Sequence, residues 1–284
     1  MNYSLGNMLG RNMALGALDP DAAAYIAAVR AAGGTVSGAQ ATAISNFTIL
    51  GKADGWFSSV KRFYLPIWGV AAANAVDLIV RGSGTFVGGV THDSGFVTFN
   101  GITGHLRADA TITSLGSTSS THHAMGLVSD NPLQLVDFKA FFGVRGGVAT
   151  EDTLIYCRTL PRIDSRCSGT TASIFSGSIV TTLQEGVFLQ NKLSTATGGH
   201  SLKLLKTAGL AVDSVSGGAN SNSPAAAKMA WGANNSNLDV AIDHINSSFG
   251  AMSVGVSIGN STLQNTYLSR VKTLWETCTG LTLP

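Results

Sequence analysis

The sequence is short of charge. Only 12% of its 284 residues are Asp, Glu, Lys or Arg, about half the usual share of about 25%. The 18 basic and 16 acidic residues give a formal net charge of +2, and no basic run stands out. The sequence therefore lacks the basic patch by which proteins bind nucleic acid or an anionic membrane surface. We expect no nucleic-acid partner and no membrane partner.

Cysteine is scarce, and long apolar runs are missing. Cys157, Cys167 and Cys278 are an odd number at irregular spacing, which is not a disulfide framework. Cys157 and Cys167 flank a possible hairpin turn, so whether they pair is left open. The most apolar stretch, residues 64–80, is broken by a proline and an aspartate and is a poor membrane span. The first residues lack the pattern of a signal peptide, which predicts synthesis in a cytoplasm.

Glutamate is as scarce as cysteine, and occurs at Glu151, Glu185 and Glu276. Glycoside hydrolysis needs two carboxylates roughly 5 to 9.5 Å apart, and no two glutamates share a strand-like spacing. A Ser nucleophile elbow and a phosphate-binding loop are also missing from the sequence. The adjacent histidines His122 and His123 would point to opposite faces of a strand, which disfavours a shared metal. We expect no enzymatic activity, no cofactor and no metal.

The residues that are present predict helices at the front of the chain. Residues 18–34 read LDPDAAAYIAAVRAAGG, with an N-cap aspartate, a proline at the first helical position and a Gly-Gly stop. Ser37 and Gln40 form a capping box that opens a second helix. A third short helix is predicted over DGWFSSVKRFY, residues 54–64. These helices are too few to bury a core alone, so their apolar stripes must pack on another element.

The middle of the chain has the two-residue period of β-strands. From about Gly84, short runs rich in Val, Phe, Thr and Ile alternate with Gly, Ser and Asn. The segment around Thr207-Ala208-Gly209 predicts a hairpin. In MSVGVSIG the apolar residues alternate from Met252 to Ile258, which indicates a strand with one face on a core. We predict a mainly β fold, an antiparallel β-sandwich or jelly roll.

The chain closes with one amphipathic helix. Residues 261–279 carry an apolar stripe, and a glycine follows the last turn. Ser261 and Gln264 are predicted to form its capping box. Helices thus flank the predicted sandwich at both ends.

The order of these elements resembles known proteins. The opening D-P-D-A-x-A-Y-I-x-x-V-x-A-A-G-G, followed by S-x-x-Q-x-x-A-I-x-x-F, is similar to a module in structural proteins of tailed bacteriophages. There it precedes a concanavalin A-like (laminin G-like) β-sandwich. THDSGFVTFNG, GHSLKLLKTAGLAV and SVGVSIGNSTLQNTYLSRVKTLWE resemble parts of that sandwich. The resemblance covers roughly residues 18–284 and includes no catalytic motif.

The resemblance implies a virion protein displayed on the particle surface, as a capsid decoration or a short tail or fibre component. Its partners would be other capsid or tail proteins and further copies of itself. The domain organisation expected on this basis is an extended arm over residues 1–17, a helical docking module over 18–80, and a β-sandwich with its C-terminal helix over 81–284.

A carbohydrate-binding, receptor-recognition module of the virion is the alternative, with a host surface glycan as partner. Trp231 stands next to a polar loop and is predicted to expose its ring for sugar stacking. Asn234, Asn235 and His200 are the polar candidates. The Ser-, Thr-, Asn- and Gly-rich loops GSTSSTHH, TATGGH and ANSNS would offer further hydrogen-bonding groups.

The first residues form an apolar arm with one charge. Leu5, Met8, Leu9 and Met13 have no obvious core of their own. The arm is predicted either to reach a neighbouring subunit and order on assembly, or to fold back on its own domain, and the sequence does not choose between the two.

Overall fold

The fold is mainly β, with two antiparallel sheets, short helices near the N-terminus and one C-terminal helix, as predicted. The computed structural model describes residues 17–117, 121–129, 139–145, 152–157, 163–167, 185–193, 200–206, 209–216, 228–235 and 240–283. The apolar arm and the predicted strand SIVTTL lie outside these residues.

The described helices are α1 (Pro20–Ala31), α2 (Gly38–Asp54), the single turn α3 (Ala71–Asn74) and α4 (Ser261–Thr279). Helices α1 and α2 begin at the caps that the sequence predicts, and α4 ends at the predicted glycine. The Asp19 side chain accepts from the backbone N–H of Asp21 at 3.0 Å, and Ser37 and Gln40 make the reciprocal capping box. None of the helices in the described part of the chain has both the length and the apolarity to cross a bilayer.

Two details of the helix predictions are wrong. Only residues 57–59 of the third predicted helix turn, as a 3₁₀ segment, and Val60–Tyr64 is a strand. This segment has only a weak preference for helix, and its β-branched and aromatic residues fit a strand well. Pairing with another strand therefore decides its conformation. The cap of α4 is Asn260, whose side chain accepts from the N–H of Leu263. Ser261 is instead the first helical residue and accepts from Lys203.

Two eight-stranded sheets contain the described strands. The helix-side sheet has the order β12-β11-β10-β6-β16-β4-β3, with β1 also pairing β16. The outer sheet has the order β15-β14-β7-β13-β5-β2, with β8 pairing β7 and β9 pairing β8. The bounds are β1 (Val60–Tyr64), β2 (Thr85–Val87), β3 (Val90–His92), β4 (Val97–Asn100), β5 (His105–Thr111), β6 (His122–Val128), β7 (Lys139–Arg145), β8 (Asp152–Cys157), β9 (Ile163–Cys167), β10 (Gly186–Lys192), β11 (His200–Lys206), β12 (Gly209–Ser216), β13 (Lys228–Trp231), β14 (Asn234–Asn235), β15 (Ala241–Ile242) and β16 (Asn246–Gly255).

The pairing of these strands is antiparallel except for the short contact of β14 with β7. The predicted hairpin is present, with Lys206 of β11 opposite Gly209 of β12. The last strand ends at Gly255 and does not continue to Ile258 as the alternation suggested.

One apolar cluster fills the space between the sheets. Most of its residues occupy alternate positions along the strands, since side chains change face at every position, and an irregularity in β7 brings both Phe141 and Phe142 into it. Its largest side chains are fully buried, among them Phe99, Phe188, Phe249 and Met252 of the helix-side sheet and Leu106, Phe141, Phe142 and Trp231 of the outer sheet.

The helices cover the other face of the helix-side sheet. A second cluster joins that face to α1, α2 and α4, and includes Met125, Leu127, Val187, Leu189, Tyr25, Val29, Ile44, Phe47, Tyr267 and Trp275. Close approach of α4 requires Gly250, because a Cβ there would lie 2.1 Å from Nε1 of Trp275. The helical layer and this sheet thus share one core, while the domain boundary at residue 80 stays a prediction.

The strand register separates the two cysteines that flank the predicted turn. Cys157 lies opposite Ile163, and Cys167 lies opposite Thr153. Four residues of strand, about 13 Å, therefore lie between Cys167 and the position opposite Cys157. A disulfide needs Cα atoms within about 7 Å, so this register excludes the pairing that the spacing left open.

Candidate functional site

Polar side chains gather at one end of the space between the sheets. Gln190 and Lys192 follow the buried Phe188 at two-residue steps on β10, so they point towards the outer sheet as Phe188 does. Likewise, His122 lies two residues before the inward-facing Ala124 on β6, and His200 lies two residues before the inward-facing Leu202 on β11. Both histidines therefore also point towards the outer sheet. We call His122, Gln190, Lys192 and His200 the polar end.

The register places three of these residues in one row. Lys192 lies directly opposite both His122 and His200 on the neighbouring strands, and cross-strand partners have Cβ atoms about 5 Å apart. All three are buried, with 7% or less of their surface exposed. Burial, together with the nearby His122 and Lys192, lowers the pKa of His200 to about 3. His200 is therefore neutral at physiological pH and offers one donor and one acceptor.

The outer sheet contributes an amide to this end of the sandwich. Asn235 is fully buried, and its Nδ2 donates to the carbonyl of Lys228 at 2.8 Å. Lys228 pairs with Thr111 at the end of β5. Shortly after Thr111, the Ser117 hydroxyl donates to the carbonyl of Gly255, which is the Cα partner of His123. This chain of contacts puts the Asn235–Lys228 pair at the same end as His122.

Three connections with polar sequences attach at the polar end. Residues 118–120 precede β6, residues 194–199 join β10 to β11, and residues 217–227 join β12 to β13. They hold the TSS of GSTSSTHH, the TATGG of TATGGH and all of ANSNS, and themselves lie outside the described residues. The row of His122, Lys192 and His200 places the adjoining ends of β6, β10 and β11 at this end. The end of β12 joins them because Ser216 pairs with His200.

The structure treats the four predicted ligand-binding residues differently. His200 is part of the polar end, and Asn235 lies near it. Asn234 is also buried, and its Oδ1 has no hydrogen-bond partner among the described residues.

The prediction that Trp231 exposes its ring is wrong. The side chain is fully buried between the sheets, where its Nε1 donates to the carbonyl of Met125 at 2.9 Å. Its ring also meets Tyr64 edge-on at 5.7 Å between centroids. The adjacent polar loop suggested exposure, but the residue's place on an inward-facing strand position decides its burial.

Sequence reasoning missed Gln190 and Lys192, and it named His122 only as a disfavoured metal ligand and as part of a polar loop. Each belongs to a strand whose pattern looks apolar overall. Two features of the sequence could have identified them. They are spaced two residues from apolar neighbours such as Phe188, and they lie next to a polar loop. Their grouping depends on the pairing of β6, β10 and β11, which lie far apart in sequence.

A second buried cluster connects the helix-side sheet to α4, and we assign it a structural role. Nδ1 of His123 lies 2.5 Å from the carbonyl of Val256, so Nδ1 carries the proton and Nε2 accepts from the Ser253 hydroxyl at 3.3 Å. The Tyr267 hydroxyl in turn lies 2.6 Å from Ser253. All three are fully buried between the sheet and α4, and their polar atoms bond to one another and to the backbone.

A further histidine pair lies at the opposite end of the outer sheet. The rings of His105 and His244 have centroids 5.6 Å apart. Burial lowers the pKa of His244 to about 4, with His105 and Lys139 adding to the effect. No group of three or more His, Cys, Asp or Glu side chains suited to a metal occurs in the described ranges.

The polar end therefore offers neutral and cationic hydrogen-bonding groups inside a rigid sandwich. Amide, imidazole and ammonium groups orient a polar ligand well, and rows of fixed donors and acceptors are typical of ligand sites. Of the glutamates, Glu185 precedes β10 and lies at the opposite end of the sheet, since Gly186 pairs with Val128. Glu276 lies on α4.

No protein-family model and no curated protein matches the chain in sequence. Solved structures do resemble it. Domain 4 of an extracellular GH43 arabinanase from Geobacillus stearothermophilus, in complex with arabinotriose, is 14% identical at a TM-score of 0.49, over 74% of this chain and 98% of that one. A Trypanosoma rangeli sialidase is 11% identical at a TM-score of 0.49, over 76% of this chain and 33% of that one.

The exoplasmic/lumenal domain of VIP36, in a Ca²⁺- and Man2-bound form, is 10% identical at a TM-score of 0.40, over 72% of this chain and 92% of that one. The chain spans about a third of the sialidase. At these identities and TM-scores the likenesses assign no ligand and no activity to this chain.

Proposed function

We propose that this chain is a non-enzymatic surface protein of a tailed-phage particle, and that its polar end binds a carbohydrate. The observation that carries the binding role is the row of His122, Lys192 and His200 at the end where three polar connections attach. The resemblance of the helical opening to phage structural proteins supports the particle role.

A carbohydrate suits the chemistry of the polar end. Sugar hydroxyls both donate and accept hydrogen bonds, and the side chains of Gln190, Asn235 and neutral His200 can do the same. The residue types of the three polar connections (Ser, Thr, Asn and Gly) match hydroxyl-rich ligands in the same way. Binding groups that extend from the ends of packed strands are held by a rigid scaffold, which keeps the cost of ordering them low.

The binding role predicts a specific loss in one variant. His200→Gln should weaken glycan binding about tenfold, the effect of one lost hydrogen bond to a ligand. His244→Gln, a matched change at the opposite end, should bind as the wild type does. Candidate ligands come from an array of bacterial surface glycans, and affinities from calorimetry, with thermal melts confirming that both variants fold.

Two results would contradict carbohydrate binding: no glycan retained by the wild-type protein, or equal losses in the two histidine variants. Release of reducing ends from a bound polysaccharide would show that the protein cleaves glycans, which contradicts the non-enzymatic role.

The particle role makes a separate prediction. Gold-labelled antibodies against the sandwich should decorate intact purified phage particles on the capsid or the tail, seen by electron microscopy. A matched control is the same antibody preabsorbed with the protein. If the chain is made during infection yet absent from purified particles, the particle role fails, whatever the glycan measurements show.

A further inference from the structure

An apolar groove runs between α2 and α4 on the outside of the helical layer. It has a volume of about 180 Å³. Ala43, Phe47, Leu50 and Leu274 form its floor, and polar residues such as Asn46 and Thr273 stand at its rim. Small-molecule pockets are typically about 300–1,000 Å³. A groove of this size is better suited to a few apolar side chains of a peptide.

The described chain begins against α2, one of the two helices that form this groove. The backbone N–H of Asp19 donates to the Ser45 hydroxyl at 2.9 Å, and Lys52 pairs with Asp19 at 2.8 Å. Ser45 and Lys52 lie on the α1-facing side of α2. The described chain therefore begins at one flank of α2, while the groove lies along the other flank.

The distance from that flank to the groove is short. A helix with its side chains is about 10–12 Å across, so half its circumference takes about five extended residues at about 3.3 Å each. Ile49, which is 46% exposed, lies on the ridge between Ser45 and the groove. It is one turn after Ser45 and next to Leu50, so a chain crossing α2 passes over it.

The arm has the side chains that such a groove accepts. Leu5, Met8 and Leu9 follow the i, i+3, i+4 spacing by which an amphipathic segment places anchors in an apolar groove. Met13 lies four residues after Leu9 in the sequence. The arm's one charge, Arg11, falls outside this spacing.

We propose that residues 1–16 fold back over α2 and fill the α2/α4 groove of the same chain. Linkage through Ala17 gives the arm a millimolar effective concentration at its own groove, far above that of an arm from another copy at micromolar protein. This favours the second of the two placements that the sequence leaves open for the arm, in which it folds back on its own domain. The proposal does not depend on carbohydrate binding or on a place in the phage particle.

Protein with ¹³C-labelled methionine methyl groups tests the proposal on the full chain. The Met8 and Met13 signals should be shifted from their random-coil positions, and trypsin should cut after Arg11 about tenfold more slowly than in variants with a free arm. Leu9→Asp should free the arm, returning the Met13 signal to random coil. Asn7→Asp puts the same charge in the arm between anchor positions and should leave the arm bound.

A substitution in the groove tests the proposal independently. Thr273→Trp fills the groove at an exposed position and should also free the arm, whereas Ile102→Trp on a distant exposed loop should not. Random-coil Met8 and Met13 signals in the wild type would overturn the proposal. So would shifted signals that vanish on dilution together with a dimer in light scattering, because the arm would then occupy a second copy.

Discussion

Replacing Trp231 by alanine is expected to lower the free energy of unfolding by about 4 kcal/mol, within the range for a buried tryptophan. The indole bridges the two sheets, since its Nε1 donates to the carbonyl of Met125 in the facing sheet. The truncation removes the ring that contacts Tyr64. It also leaves a buried carbonyl without that donor, which adds to the cost.

Denaturant unfolding measures this effect, and Trp231→Phe is the matched control. Phenylalanine keeps most of the apolar volume and loses the N–H, so it should cost about 1–2 kcal/mol. A loss below 1 kcal/mol for Trp231→Ala would show that the ring is not in the inter-sheet core. Loss of glycan binding in Trp231→Ala is uninformative about stacking, because the variant is expected to be close to unfolding.

Acidification is expected to destabilise the protein through His123. Burial lowers the pKa of His123 to about 4, from 6.5. Below pH 6.5 the unfolded chain binds a proton at this residue that the folded chain excludes until about pH 4. The stability is therefore complete above pH 6.5 and falls as the pH drops, by about 3 kcal/mol at pH 4.

Protonation of His123 disturbs the buried hydrogen bonds between the helix-side sheet and α4. Nε2 of neutral His123 accepts from Ser253, and a protonated ring would turn this acceptor into a second donor in a fully buried place. In His123→Gln the unfolding free energy should fall by about 3 kcal/mol less between pH 7 and pH 4 than in the wild type. Two parallel curves would contradict the assignment, since the other titrating groups are common to both proteins.

Local signals predicted most of the elements. The N-cap at Asp19, the capping box at Ser37 and the glycine after α4 marked helix ends that the structure has at or within a residue or two of these places. The two-residue alternation predicted the mainly β class and the hairpin between β11 and β12. These signals work because caps, turns and alternation depend on neighbours in sequence.

The errors occur where a distant element overrides the local pattern. Val60–Tyr64 follows a helical segment in sequence but pairs with β16, nearly two hundred residues away. Lys203 on β11 donates to Ser261, at the position that the sequence suggested for the α4 cap. The candidate site shows the same limit, because His200 could be selected from its polar loop, while Lys192 and His122 join it only through register.

The sequence by itself determined the class of the fold, the helical ends and the low charge, because composition and short-range periodicity carry that information. Only the tertiary structure decided that Trp231 is buried, that the cysteines of β8 and β9 lie apart, and that three polar residues from separate strands form one row. The reason is that strand register sets which face and which end each side chain occupies, and register depends on backbone hydrogen bonds between segments far apart in the chain.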